Sequence, residues 1–99
     1  MKIKTKYKTE WRNKQGELHR EDGPAIIRSN GSQFYYQNGK LHRENGPARI
    51  SPDGYKAYYQ NGKCHREDGP AVIFPDGSQL YCLNGKYLTR SQYENQMFR

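Results

Sequence analysis

A chain of 99 residues holds one domain, near the lower end of what a single core can stabilise. Its 32% hydrophobic fraction alone would suit a disordered segment, but nine Tyr, three Phe and one Trp supply buriable surface, and ten Gly and five Pro punctuate it at regular intervals. The net charge of +7 directs attention to acidic partners, while no apolar run approaches the roughly 18 residues that span a bilayer.

Met1-Lys2-Ile3-Lys4 opens the chain without the apolar stretch of a secretory signal. Residues 1–10 read as a basic cap strand in which Lys2, Lys4, Lys6 and Lys8 share one face, with Ile3, Thr5 and Tyr7 on the other. Ile3 and Tyr7 would then cover the open end of a sheet. Residues 1–20 carry seven Lys/Arg against two Glu, so most of the net charge is here. One reading is an edge strand guarded by lysines against aggregation. The other is a cationic stripe, one charge every ~6.6 Å, suited to a polyanion or an acidic protein surface.

From residue 11 to about residue 88 the chain repeats with a period of 23. His19, His42 and His65 keep that period, as do Gly23, Gly46 and Gly69, and Tyr35, Tyr58 and Tyr81. The shared block His-Arg-Glu-(Asp/Asn)-Gly-Pro-Ala occupies 19–25, 42–48 and 65–71, and a fourth copy stops after Asn84-Gly85-Lys86. Asn38-Gly39, Asn61-Gly62 and Asn84-Gly85 are the dipeptides of two-residue hairpin loops. The Asn/Asp-Gly pairs at 30–31, 53–54 and 76–77 reverse the chain again. Short strands between these turns predict an all-β fold, a single antiparallel meander of about three and a half hairpin repeats.

The turn register opposes Tyr59 to Cys64, Tyr58 to His65, Tyr36 to Leu41, Tyr35 to His42 and Phe34 to Arg43. In the first copy a Gln15-Gly16 turn would oppose Trp11 to Arg20 and Arg12 to His19. Arginines next to aromatic rings are expected to add about 0.5–1 kcal/mol each as cation–π contacts. Parity assigns Ala25/Ile27, Ala48/Ile50 and Ala71/Ile73 to the core and Ile26, Arg49 and Val72 to solvent.

Equivalent histidines of neighbouring copies stand at least two strands apart, roughly 9–10 Å, too far to share one metal ion. Every candidate partner of a histidine recurs with the repeat, and recurrence at a fixed period points to architecture. No catalytic residue, metal site or cofactor is expected. Arg20/Glu21, Arg43/Glu44 and Arg66/Glu67 read either as pairs joining adjacent copies or as a binding ladder. In each Gly-Pro-Ala, Gly is expected to take an unusual φ and Pro to start the next segment. Cys64 and Cys82 form no CxxC and suggest a reducing, cytoplasmic setting, with a bridge between them left open.

Residues 89–99 leave the repeat. Ser91-Gln92-Tyr93-Glu94 matches a capping box, predicting a short helix over about 91–98. Its Tyr93, Met97 and Phe98 would close the last hairpin or dock a partner.

The run Phe74-Pro75-Asp76-Gly77-Ser78 to Asn84-Gly85-Lys86, with the 23-residue period, resembles MORN repeats. Closer still is the "NGK-LHREDGPA" variant found in uncharacterised proteins of phages and large DNA viruses and in some bacteria. The resemblance implies a β-meander in the cytoplasm of a producing or infected cell. Arg-Glu stands here where the family has glycine after the histidine. The leading expectation is a non-catalytic, protein-binding accessory factor, in one version an inhibitor seated on an acidic surface of a host enzyme or defence complex. Its candidate contacts are Lys2, Lys4, Lys6, Lys8, Trp11, Arg20, Tyr35, Arg43, Tyr58, Arg66 and Tyr81, since Tyr, Trp and Arg dominate binding hot spots. The alternative is a non-specific nucleic-acid binder using the lysine strand and the Tyr/His face. An anionic-membrane module by family analogy is a weaker third reading, because no amphipathic helix with a large apolar face is evident. A homodimer through a sheet edge is a further arrangement the meander allows.

Overall fold

The computed structural model describes residues 1–97. The first strands are β1 (Lys2–Lys4), β2 (Lys8–Trp11), β3 (Ile26–Arg28), β4 (Gln33–Phe34), β5 (Tyr36–Gln37), β6 (Lys40–Leu41) and β7 (Arg49–Ile50). They are followed by β8 (Lys56–Ala57), β9 (Tyr59–Gln60), β10 (Lys63–Cys64), β11 (Val72–Ile73), β12 (Gln79–Leu83), β13 (Lys86–Leu88) and the helix α1 (Arg90–Met97). The architecture is all-β. A nine-stranded antiparallel sheet runs in the order β1-β2-β3-β4-β7-β8-β11-β12-β13, and β5-β6 and β9-β10 form separate two-stranded ribbons.

Two kinds of turn build each copy. Asn38 and Gly39 have φ of 49° and 82°, the paired positive values of a type I′ loop, and the other Asn-Gly pairs match. The Asp-Gly turns are three-residue loops: in the second copy Ser51 N–H reaches Tyr55 O and Gly54 N–H reaches Ser51 O. The Asp53 carboxylate accepts the Tyr55 N–H at 3.0 Å, an Asx turn that sets the register. The chain leaves the main sheet at Tyr35 and Tyr58 to enter the ribbons. Gly39, Gly62 and Gly85 then donate to Leu18, Leu41 and Cys64 of the preceding copy, each at 2.8 Å, so turns stack copy on copy.

The opposed pairs Tyr36–Leu41 and Tyr59–Cys64 form as the turn register predicts. In the first copy the loop is one residue longer, because Asn13 Oδ1 accepts from both Gln15 N–H and Glu17 N–H and closes a three-residue turn. Arg12 therefore opposes Leu18 and not His19. Phe34 likewise opposes Ile26 and Arg49 within the main sheet, while Arg43 sits elsewhere.

The parity of the core is the reverse of expectation in the first and third copies, at Ile26 and Val72, while Arg49 and Ile50 of the second are both half-buried. Ile26, Phe34, Arg49, Ala57, Val72 and Leu80 form one continuous row across the sheet. Ile26 and Val72 in that row are only 8% and 4% exposed, and Arg49 is half-buried. Ile27, Ile50 and Ile73 stand on the opposite face among Gln33, Lys56 and Gln79 and are half-buried. The reason is the bend into the ribbons, which brings Tyr59 and Cys64 into the cluster with Ala57, Val72 and Cys82. Ala25, Ala48 and Ala71 are fully buried as predicted, lying one residue along from that row and alternating with Trp11, Tyr35, Tyr58 and Tyr81.

Candidate docking surface

The sequence nominated the arginines and ring residues of the repeat, and the structure brings them together as pairs. Arg20 lies 3.7 Å over the Trp11 ring, Arg43 3.9 Å over Tyr35 and Arg66 4.0 Å over Tyr58. Each guanidinium also donates to the carbonyl of its own copy's proline, Pro24, Pro47 or Pro70, at 3.0–3.2 Å. Arg20 and Arg66 further pair with Asp22 and Asp68. These arginines therefore brace their own Gly-Pro turn and do not reach the adjacent copy. Gly23, Gly46 and Gly69 have ordinary φ; a Cβ there would stand 3.1–3.2 Å from the guanidinium, so glycine makes room for the arginine. Tyr81 has no arginine of a further copy, and Tyr93 of α1 takes that place with ring centroids 4.8 Å apart.

The histidines join the copies. His19, His42 and His65 each accept the backbone N–H of Asn38, Asn61 or Asn84 at Nδ1, at 2.9–3.0 Å. A backbone N–H can only donate, so Nδ1 is the acceptor and Nε2 carries the proton given to Glu21, Glu44 or Glu67. Gln37 and Gln60 add bonds to the Arg20 and Arg43 carbonyls. Among the described residues no cluster of His, Cys, Asp or Glu could hold a metal ion. Two shallow grooves run between successive His-Arg-Glu loops, and much of their polar lining is engaged in these intramolecular bonds.

The N-terminal lysines do not share one strand face. Thr5 Oγ1 accepts from Tyr7 N–H and Lys8 N–H and turns the chain, so residues 2–11 form the hairpin β1-β2. Lys2 and Lys4 oppose Trp11 and Thr9, while Lys8 lies on the other face and pairs with Glu10 at 3.0 Å. Lys8 and Arg12 hold the buried Glu10 carboxyl below its usual range. Lys2, Lys4 and Lys6 stay exposed and form no ion pair with a described residue.

An unnominated surface lies on the row-bearing face. Leu80 and Tyr87 are 40% and 61% exposed there, diagonal neighbours of the β12-β13 pair. Phe34 lies between two guanidiniums, Arg28 at 5.6 Å and Arg49 at 5.2 Å, and Arg49 also stands 5.3 Å over Tyr55. Tyr55 meets Phe74 edge-on at 5.8 Å. A sequence signal existed: at period 23, Arg49 stands between Ile26 and Val72, and Tyr55 between Ser32 and Ser78. Both departures fall in one copy, and the fold stacks them on each other.

Cys64 and Cys82 are buried free thiols, and burial pushes both up, Cys64 well above the ordinary thiol range. Burial raises Tyr59 and Tyr93 likewise, and the neighbouring thiols, Cys64 first, raise Tyr87. The unfolded chain therefore loses these protons first, so this stability is complete below the ordinary thiol and phenol values, about 8.5 and 10, and falls as pH climbs through them. The urea midpoint is expected to hold level up to about pH 8 and then decline, with Cys64→Ser/Cys82→Ser delaying the onset. A level midpoint through the phenol range would contradict the burial of these groups.

Capping at α1 differs in detail from expectation. Thr89 Oγ1 accepts from Gln92 N–H at 3.1 Å and Gln92 Oε1 from Thr89 N–H at 3.0 Å, so the capping box is Thr89–Gln92 and not Ser91–Glu94. Tyr93 is buried and Met97 half-buried, and Phe98 lies outside the described residues. Comparison of the chain with family models, with curated proteins and with solved structures returns no match.

Proposed function

We propose that this chain is a non-catalytic protein-binding accessory module that docks an acidic protein surface through the face carrying Leu80, Tyr87 and Arg49. The observation that carries this reading is the exposure of Leu80 and Tyr87 beside the half-buried Tyr59, apolar and aromatic area on a sheet face that also presents cations. Aromatic and arginine anchors surrounded by polar residues are the composition of binding hot spots. The exposed Lys2, Lys4 and Lys6 at the far end of the sheet suit long-range attraction to the same acidic partner, which raises association rate more than final affinity.

A second reading, non-specific nucleic-acid binding, is favoured by one observation: Lys6 stands 5.6 Å over the ring of Tyr7, which is 65% exposed, in the same hairpin as the exposed Lys2 and Lys4. Among the described residues no helix is long and apolar enough to cross a membrane.

The test is an affinity capture from lysate, nuclease-treated and untreated in parallel, eluted across a salt gradient. A discrete protein retained after nuclease by the parent chain, and lost with Leu80→Glu/Tyr87→Glu, is the expected result. Loss of all captured material on nuclease treatment, with the same loss in Lys2→Gln/Lys4→Gln/Lys6→Gln, would overturn it in favour of the second reading.

A further inference from the structure

We infer that Arg49 is a carboxylate-recognition anchor, taking an acidic side chain of a protein segment that lays apolar residues toward Leu80. This rests on the protein-binding reading and names the chemistry of its partner.

Arg49 is the repeat's exception in both sequence and bonding. Arg20, Arg43 and Arg66 each donate to a proline carbonyl, whereas the Arg49 guanidinium makes no hydrogen bond or ion pair with any described residue. Its Nε is shielded from water and has no partner. An acid arriving from outside does not reach that Nε; it meets the open Nη ends of the same guanidinium, where a carboxylate forms charge-assisted hydrogen bonds. The one carboxylate in the same register row is Glu10, already engaged by Lys8 and Arg12. Among the described residues nothing neutralises Arg49.

The site is also held ready. Rings of Phe34 and Tyr55 at 5.2 and 5.3 Å fix the guanidinium plane, so little side-chain freedom is lost when an acid binds. Ala57, fully buried next along the row, replaces the Phe34 and Leu80 of the neighbouring copies, and Arg28, which forms no ion pair with a described residue, supplies a second cation beyond Phe34.

At Arg49 the same rings favour a protein over a nucleic acid. Base stacking needs free ring faces, but Phe34 is met by two guanidiniums, and Tyr55 by Arg49 and the edge of Phe74. What remains free is the outer end of the cation and, three strands along the row, the apolar area of Leu80 and Tyr87; that separation, roughly 14 Å at the usual strand spacing, fits a Glu or Asp about four residues from an apolar one in an extended segment.

The test uses two fluorescent probes of equal charge, an extended peptide that carries Glu and Leu four residues apart on one face, and oligo-dT. They are titrated against the full chain and against Arg49→Gln, Arg49→Lys and the charge-matched Lys14→Gln. The expected result is preference for the peptide, weakened about tenfold or more by Arg49→Gln, not restored by Arg49→Lys, and changed less than about twofold by Lys14→Gln. Equal weakening by Arg49→Gln and Lys14→Gln would overturn the inference as mere net charge, and tighter oligo-dT binding sensitive to Arg49→Gln would overturn the choice of partner. If Arg49→Gln fails to fold, Arg49→Lys against Lys14→Gln keeps the comparison, since lysine retains the charge but not the guanidinium fork. In the lysate capture, a protein lost with Leu80→Glu/Tyr87→Glu but retained by Arg49→Gln would sink this inference and leave the protein-binding reading standing.

Discussion

Tyr93→Ala is expected to lower stability by about 3–5 kcal/mol, a fall in Tm of at least about 12 °C for a domain of this size. Tyr93 is 2% exposed, the one aromatic of α1 enclosed by the repeat body. Its hydroxyl donates to Arg66 O at 2.7 Å and accepts Gly69 N–H at 3.0 Å, while its ring covers Tyr81. Truncation removes the ring, opens the third copy's Gly-Pro turn and leaves a carbonyl and an amide without partners. Tyr93→Phe keeps the ring and is expected to cost about 1–3 kcal/mol for the two unanswered groups. Hydrogen exchange separates the two effects: Tyr93→Phe should speed exchange at the Gly69 amide selectively, and Tyr93→Ala should also release α1. Equal Tm values for Tyr93→Phe and the parent chain would show that water replaces the hydroxyl without loss.

The second large effect is at Arg66. Its guanidinium covers the Tyr58 ring, donates to Pro70 O and pairs with Asp68, with its side chain 23% exposed. Arg66→Ala is expected to cost about 2–3 kcal/mol, because a charge-assisted bond and a stacked cation are lost together. Arg66→Lys should recover less than half of this, since an ammonium has neither the plane to stack nor the fork to reach Pro70 and Asp68 at once. Urea midpoints of the two variants against the parent chain provide the measurement. A lysine that restores the parent midpoint would reduce the arginine's role to charge alone. Arg43→Ala should cost less than Arg66→Ala, because Asn45 occupies the place of the acidic Asp68.

Much of the fold was legible because its signals are local. Asn-Gly at three equivalent places demands paired positive φ, and the type I′ loops follow whatever lies beyond them. The 23-residue period, the opposed Tyr59–Cys64 and Tyr36–Leu41 pairs and the nearness of arginines to rings descend from those turns. Where reading failed, a side chain competed with the backbone pattern. Thr5 looked like one more position in an alternating strand, yet its hydroxyl accepts two amides and reverses the chain, splitting the lysines between faces. Asn13 lengthened the first loop in the same manner, and Thr89 took the cap that Ser91 also suited.

The sequence by itself determined the strands, turns and copies of this protein, since each depends on residues within a few positions of one another. Tertiary structure alone decided which face is buried and what is left uncovered. Alternation assigns a strand's residues to two faces but cannot say which one receives the cover, and here the ribbons bend to place Tyr59 and Cys64 over Ala57 and Val72. That choice buries Ile26 and Val72 and leaves Arg49, in the same row, between two rings with no acid among the described residues to meet it.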